Sequence, residues 1–319
     1  MANLKPKVSI VGCGNVGMRY AYALVIRGAA RELVLVDPDI KRIEGEAMDL
    51  SHGAPYVQPL EIRAGGYADI ADSDLVVITA GKKQKPGQSR IDLVKDNVEL
   101  FRQIIPEVVK NAPRAVLLIA SNPVDILSYA AYRFSGKPPK EVIGSGTVLD
   151  SARFRFQLAR HCNLDPRNIH AYILGEHGDT EFPVWSRAMI GGILFTDYCL
   201  ICHSHGSCQH NDVLNRLFTD VRDSAYHIIE RKGETSYGIG LALVRITEAL
   251  LNNENAILPV SSLVQNYMGI NDVYLSLPCV VNREGVREVL EVGLNPEEEK
   301  ALRNSAEKLR SILTTIGLA

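Results

Sequence analysis

Four short stretches of this chain carry side chains whose types and spacing suit chemistry. At Gly175-Glu176-His177-Gly178-Asp179 a histidine stands between glycines directly after the apolar run Ala171-Tyr172-Ile173-Leu174, which places its imidazole on a strand-end turn, exposed to a cleft. Imidazole exchanges protons near neutral pH, and a ketone reduced by hydride also needs a proton. Upstream, Leu149-Asp150-Ser151-Ala152-Arg153 begins a helical stretch in which Asp150 and Arg153, three apart, share a face. A carboxylate to orient and charge the histidine and a guanidinium to grip a substrate carboxylate could then project together; standing alone, the pair is an ordinary helix ion pair. The polar run from Ala80 to Arg90, with Gly81 and Gly87 inside it, has the composition of a mobile lid or of a solvated loop. As a lid it would exclude water and bring Arg90 against a reacting carbonyl, where positive charge stabilises the developing alkoxide.

The fourth stretch is Gly12-Cys13-Gly14-Asn15-Val16-Gly17, which follows the apolar run Lys7 to Val11 and opens a helix; Asp37 lies twenty residues after Gly17, at the end of a second apolar run. Glycines there permit a tight turn and a close backbone approach, so Gly12, Gly14, Val16 and Gly17 would face a pyrophosphate with helix N-terminal amides. Asp37 would accept from ribose hydroxyls and repel a 2'-phosphate, which favours NAD over NADP. Cys13 reads as a small apolar filler, since nothing pairs it with a second thiol.

The elements that must position these groups are legible as alternation. Short β-branched runs at Lys7–Val11, Leu33–Val36, Leu75–Thr79 and Val116–Ile119 are separated by helical stretches, the pattern of a parallel sheet covered on both faces. That rhythm ends near Glu141–Gly144. The expected fold is therefore α/β: a Rossmann-type doubly wound parallel sheet over residues 1–145, then a mixed α+β catalytic domain over 146–319. Asn295 and Pro296 open a final amphipathic helix with Leu302, Leu309, Leu313 and Ile316 on one face.

With 319 residues, 46% hydrophobic, 23% charged and a net charge of -2, the chain has no basic surface for nucleic acid or for a membrane patch. No apolar run is long enough for a membrane helix, and the apolar start breaks at once into glycines, unlike a signal peptide, so a cytoplasmic location is expected. Six cysteines at irregular spacing do not suggest a disulfide framework. Three of them, with three histidines, crowd into Cys199–His210, but the spacing fits no standard zinc pattern, and no metal is expected.

These stretches, with Ser89-Arg90 and Ser121-Asn122-Pro123-Val124-Asp125, occur in an order that resembles the lactate and malate dehydrogenases along essentially the whole chain. The resemblance implies that His177 is the acid/base, Asp150 its partner, Arg153 the carboxylate clamp and Arg90 the lid arginine. It further implies that Asn122 orients the carbonyl and the nicotinamide and that Thr235 lines the pocket; Lys83, a departure from the family pattern, could reach the cofactor pyrophosphate. The lid residue six before the arginine faces the variable end of the substrate, and malate enzymes place arginine there. Here it is Gln84. A neutral amide offers no partner to a second carboxylate, which favours pyruvate and L-lactate over the malate alternative. Lys82, Lys83 and Lys85 make this lid more basic than the family pattern, and Gln88 replaces a usual acid. A non-catalytic nucleotide-binding protein on the same fold would be expected to have lost a catalytic group, and none is lost.

A regulatory reading comes from the same helix. Arg155 points almost opposite to Arg153, away from the pocket. In family members activated by fructose 1,6-bisphosphate, an arginine two after the clamp and a histidine seven before the catalytic one bind the effector across a subunit interface; Arg155 and His170 occupy those offsets. The resemblance thus implies a homotetramer, with a dimer possible without effector.

Overall fold

A computed structural model describes residues 6–82, 87–201 and 210–318, apart from the side chains of 199–201 and 210–212. The first half alternates strand and helix: β1 (Lys7–Val11), α1 (Asn15–Arg27), β2 (Glu32–Val36), α2 (Ile40–His52), β3 (Glu61–Gly65), β4 (Leu75–Ile78), α3 (Arg90–Asn111), β5 (Val116–Ile119), α4 (Val124–Ser135) and β6 (Val142–Gly144). The unbroken apolar runs β1, β4 and β5 are buried along their whole length, as strands covered on both faces must be. They form a parallel sheet in the order β3-β2-β1-β4-β5-β6, successive strands being added to one side of β1 up to β3 and to its other side from β4 on. In such a sheet the crevice at the strand carboxyl ends beside that switch point is where ligands bind.

Two features go beyond the sequence expectation. Strand β3 had no counterpart in it, because Glu61–Gly65 is a half-polar edge strand with no fully buried residue. The sheet also does not stop at β6. After α5 (Val148–Cys162), β7 (Ile169–His170), β8 (Ile173–Leu174), β9 (Phe182–Pro183), β10 (Met189–Ile190), β11 (Ile193–Leu194), α6 (Phe195–Ile201), α7 (His210–Arg222), α8 (Ser224–Lys232) and α9 (Tyr237–Leu251), the chain returns. Strands β12 (Ala256–Val264), β13 (Val273–Asn282) and β14 (Gly285–Val289) then extend the same sheet antiparallel, β12 docking on β6 at Ser261 and Gly144. A Cβ on Gly144 would lie 2.8 Å from that of Ser261 and 2.5 Å from Ser128 Oγ, so glycine is what allows the junction.

The last helix, α10 (Pro296–Thr315), starts as expected. Asn295 accepts from the Glu297 and Glu298 amides while the Glu298 carboxylate accepts from the Asn295 amide. Leu302, Leu309 and Leu313 are buried against β13 and α4, and Ile316 packs at the edge of that core. Among the described residues no helix is long and apolar enough to cross a membrane.

Candidate active site

The turn after β1 is built for close approach. Gly12 has φ +95°, and a Cβ on it would fall 2.3 Å from the Ala80 nitrogen; a Cβ on Gly17 would fall 2.3 Å from the Gly12 carbonyl oxygen. Neither site tolerates a side chain. Gly14 is the opposite case, exposed and with nothing within 4 Å of such a Cβ. It precedes α1 without a side-chain cap, so the first amides of α1, including that of half-buried Val16, have no side-chain partner. Uncapped helix amides beside a bare glycine fit a dinucleotide pyrophosphate. Asp37 accepts from the Cys13 amide at 2.8 Å and the Asp39 amide at 3.1 Å, with Arg42 3.3 Å away. Those bonds aim the carboxylate from the end of β2 across the same opening and leave lone pairs for ribose hydroxyls. Burial, then the Asp37 charge, push the Cys13 thiol up to about 12, which keeps it an inert filler.

Asp150, Arg153 and His177 come together where α5 meets the turn after β8. Asp150 Oδ2 is 2.7 Å from His177 Nδ1, and its Oδ1 accepts from Arg153 at 2.9 Å. One carboxylate therefore binds both cations, Arg153 from three residues further along α5, as the spacing requires, and His177 from the turn after β8. Asp150 is almost fully buried, whereas 27% of the His177 side chain is exposed. Burial opposes the charged forms of both. The imidazolium and Arg153 overcome it at Asp150 and hold that carboxyl below its ordinary range. At His177, burial is outweighed by the Asp150 charge and hydrogen bond, with Glu181 and Asp125 adding to them, so the imidazole is raised to about 9. His177 is thus charged at neutral pH, with Nδ1 occupied and Nε2 available to a ligand.

Around this pair the structure brings together several of the expected residues. Arg153 also points a nitrogen at Thr235 Oγ1, 3.5 Å away. Arg90, the first residue of α3, reaches the catalytic turn and donates to Asp179 at 2.8 Å and to Tyr226 at 3.2 Å. Asn122 is exposed at the end of β5, and its side-chain amide has no partner among the described residues. Gln84 and Lys83 lie outside the described residues, as does most of Cys199–His210. Arg155 is half-buried on α5, with its Nε 3.3 Å from the Ser151 carbonyl; His170 is exposed on β7, against which α5 packs.

Three residues that the sequence reading did not single out for a role belong to the same region. Asp125, fully buried on α4, accepts from the His177 amide at 2.7 Å and from Ser261 Oγ at 2.5 Å, tying the catalytic turn to both halves of the sheet. Buried Asn97 accepts from the Lys82 amide at 2.7 Å and donates to the Asn122 carbonyl, joining the base of the lid to the end of β5. Glu181 lies against Asp150 and His177. For Asp125 and Glu181 the available sequence signal was an acid inside an otherwise apolar or glycine-rich motif; for Asn97 on α3 there was none.

A glycine turn at a sheet switch point, with an acid at the end of the next strand, and a buried Asp150–His177–Arg153 group in the same chain suit a dehydrogenase that uses a nicotinamide dinucleotide. The family comparisons agree. Residues 6–144 match the lactate/malate dehydrogenase NAD binding domain, and residues 147–317 match the lactate/malate dehydrogenase alpha/beta C-terminal domain. An L-lactate dehydrogenase of Acetivibrio thermocellus is 49% identical over 98% of both chains, and L-lactate dehydrogenase 1 of Clostridium acetobutylicum is 48% identical over 97% of this chain and 98% of its own. A lactate dehydrogenase from a Medee basin deep-sea metagenome library superposes with a TM-score of 0.95 at 47% identity, covering 99% of this chain and 100% of that one. The minor L-lactate dehydrogenase of Enterococcus mundtii gives 0.94 at 41%, covering 98% and 99%. The chain belongs to the lactate/malate dehydrogenase family, and it is an NAD-dependent oxidoreductase.

Proposed function

We propose that the protein interconverts pyruvate and L-lactate, and that residues 1–145 hold the cofactor while 146–319 carry the substrate groups. The observation that carries the reading is the single buried carboxylate of Asp150 bound to both His177 and Arg153. Arg153 grips the carboxylate of the oxo acid with two parallel bonds, and Thr235 lines its flank. His177 donates from Nε2 to the keto oxygen and gives up that proton as the oxygen gains charge. Asp150 fixes the ring through Nδ1 and stabilises the imidazolium, so the oxo acid binds the charged ring and the hydroxy acid the neutral one. Arg90 leaves Asp179 and closes over the carbonyl, while Asn122 orients the carbonyl and the nicotinamide. Gly12, Gly14, Val16, Gly17, Asp37 and Lys83 hold the cofactor, which when bound supplies or accepts the hydride. Since the imidazolium is present below about 9 and lost above it, pyruvate binding should weaken as pH rises through that range.

Gln84 assigns the substrate. With glutamine in place of an arginine at that lid position, a second carboxylate would lack its counter-charge. Gln84→Arg should move the oxaloacetate-to-pyruvate ratio of kcat/KM toward oxaloacetate by about a hundredfold. Parallel NADH oxidation assays on the two acids check this, and an unchanged ratio removes Gln84 from the specificity role.

The protein is further read as a cytoplasmic homotetramer of glycolysis and fermentation, activated allosterically by fructose 1,6-bisphosphate at Arg155 and His170. Tyr22 and Ile26 on α1 and Tyr237 and Leu241 on α9, two helices packed together, are large apolar side chains more than half exposed, which suits burial by a second copy. Half-buried Arg155 has no carboxylate partner among the described residues, and burial lowers its affinity for a proton, so a phosphate would compensate it. Fructose 1,6-bisphosphate should lower the pyruvate KM and favour tetramer over dimer, and Arg155→Gln should remove both effects. Kinetics with light scattering across effector concentration decide the matter: a flat response in both excludes the site.

A further inference from the structure

Glu181 is a buried acid that the reaction just described does not use. It sits four residues after His177 at the close of the catalytic turn and is 7% exposed. Its amide bonds the Gly178 carbonyl, and its carboxyl group, which has no hydrogen bond or ion pair among the described residues, keeps a narrow contact with solvent at its oxygens. It is nevertheless not remote from charge. One of its oxygens, one of Asp150 and a ring nitrogen of His177 lie within 4.8 Å of one another. A buried carboxyl without a partner is costly when ionised, and a second anion beside Asp150 adds to that cost.

We propose that Glu181 is a positioning residue for the hydride-transfer reaction, governing through Asp150 and His177 how long the imidazole keeps hold of the substrate carbonyl as pH rises. The inference rests on the pyruvate reading above. The groups that face this pocket are Asp150 and Arg153 from α5, Arg222 from α7, Asp125 from α4, and His177, Glu176 and Asp179 from the turn itself. Burial first, then Asp150, push Glu181 up to about 9 against the pull of His177, Arg153 and Arg222. His177 is raised into the same range, to about 9. Two neighbours that titrate together do so as a pair. At neutral pH Asp150 is ionised between His177 and Arg153, and Glu181 beside them is uncharged. As pH rises, part of the first proton lost comes from Glu181, and the carboxylate so formed strengthens the imidazolium beside it. The charge that binds the keto oxygen thereby survives to higher pH than Asp150 alone would sustain.

Glu181→Gln keeps the size and polarity of the side chain and removes only its titration. The test is the dissociation constant of oxamate, the unreactive amide analogue of pyruvate, from the full-length protein saturated with NADH, measured from about pH 6 to about pH 10. The wild type should bind with constant affinity at the acid end and lose about tenfold per pH unit beyond its midpoint. In Glu181→Gln that midpoint should fall by about half a unit to one unit, so oxamate binds about three- to tenfold more weakly near pH 9 and within about twofold at pH 6. A midpoint equal to that of the wild type would overturn the proposal, and so would weakening by one factor at every pH, which marks a packing role. If the variant does not fold, the His177 ring resonances of the wild-type protein decide: a titration broadened over two steps supports the pair, and a single ordinary step overturns it. Wild-type protein that binds NADH but no oxamate at any pH would instead refute the pyruvate reading itself, and the inference with it.

Discussion

Replacing His177 by alanine is expected to cut kcat/KM for pyruvate by about three to four orders of magnitude while NADH affinity stays within about twofold. The proton donor is lost together with the hydrogen bond that polarises the keto oxygen, and water admitted to the space cannot be held by Asp150 in the same orientation. Cofactor binding should persist because the cradle is made by β1, α1 and the end of β2, none of which touches the imidazole. Asp150 keeps Arg153 as its counter-ion in the variant, so the fold should hold, which a thermal unfolding curve verifies. Parallel loss of NADH binding in a folded variant would assign His177 a structural role in place of the chemical one.

Arg153→Lys should raise KM for pyruvate by about two to three orders of magnitude, with a smaller fall in kcat. The guanidinium is already oriented before substrate arrives: one nitrogen is held by Asp150 at 2.9 Å and another faces Thr235 at 3.5 Å. A lysine ammonium preserves the charge next to Asp150 but lacks the planar fork, so the carboxylate loses one of its two bonds and its fixed direction. The helix ion pair survives in either case. Steady-state kinetics therefore separate the roles, since a KM within a few-fold of the wild type would leave Arg153 as no more than the partner of Asp150.

The groups that these variants test differ in how far the sequence reveals them. Asp150 and Arg153 are readable because helix geometry alone sets them on one face, and the cradle is readable because strand, glycines, helix and Asp37 follow one another in a short unit. Strand β3 is not, since an exposed edge needs no apolar run. The continuation of the sheet through β12 is not either: the contact of Ser261 with Gly144 joins distant parts of the chain and depends on a missing Cβ. Asp125 and Glu181 show the same limit at the site. Each is an acid in a recognisable motif, yet one acquires its meaning from a backbone amide on the catalytic turn and the other from a carboxylate on α5. Arg90 stands between these cases, expected at a lid but found held by Asp179, a partner that only the folded turn supplies. Tertiary contact, which local pattern does not encode, completes the pocket.

Whether His177 and Arg153 serve a monocarboxylic oxo acid is decided by the loss of NADH absorbance with purified wild-type protein. Pyruvate and oxaloacetate are supplied separately at neutral pH, with fructose 1,6-bisphosphate both present and absent. Oxidation should be rapid with pyruvate, and kcat/KM should be at least about tenfold lower with oxaloacetate, whose second carboxylate finds no cation at Gln84. Faster turnover of oxaloacetate, or no turnover of pyruvate in either condition, would contradict the pyruvate reading.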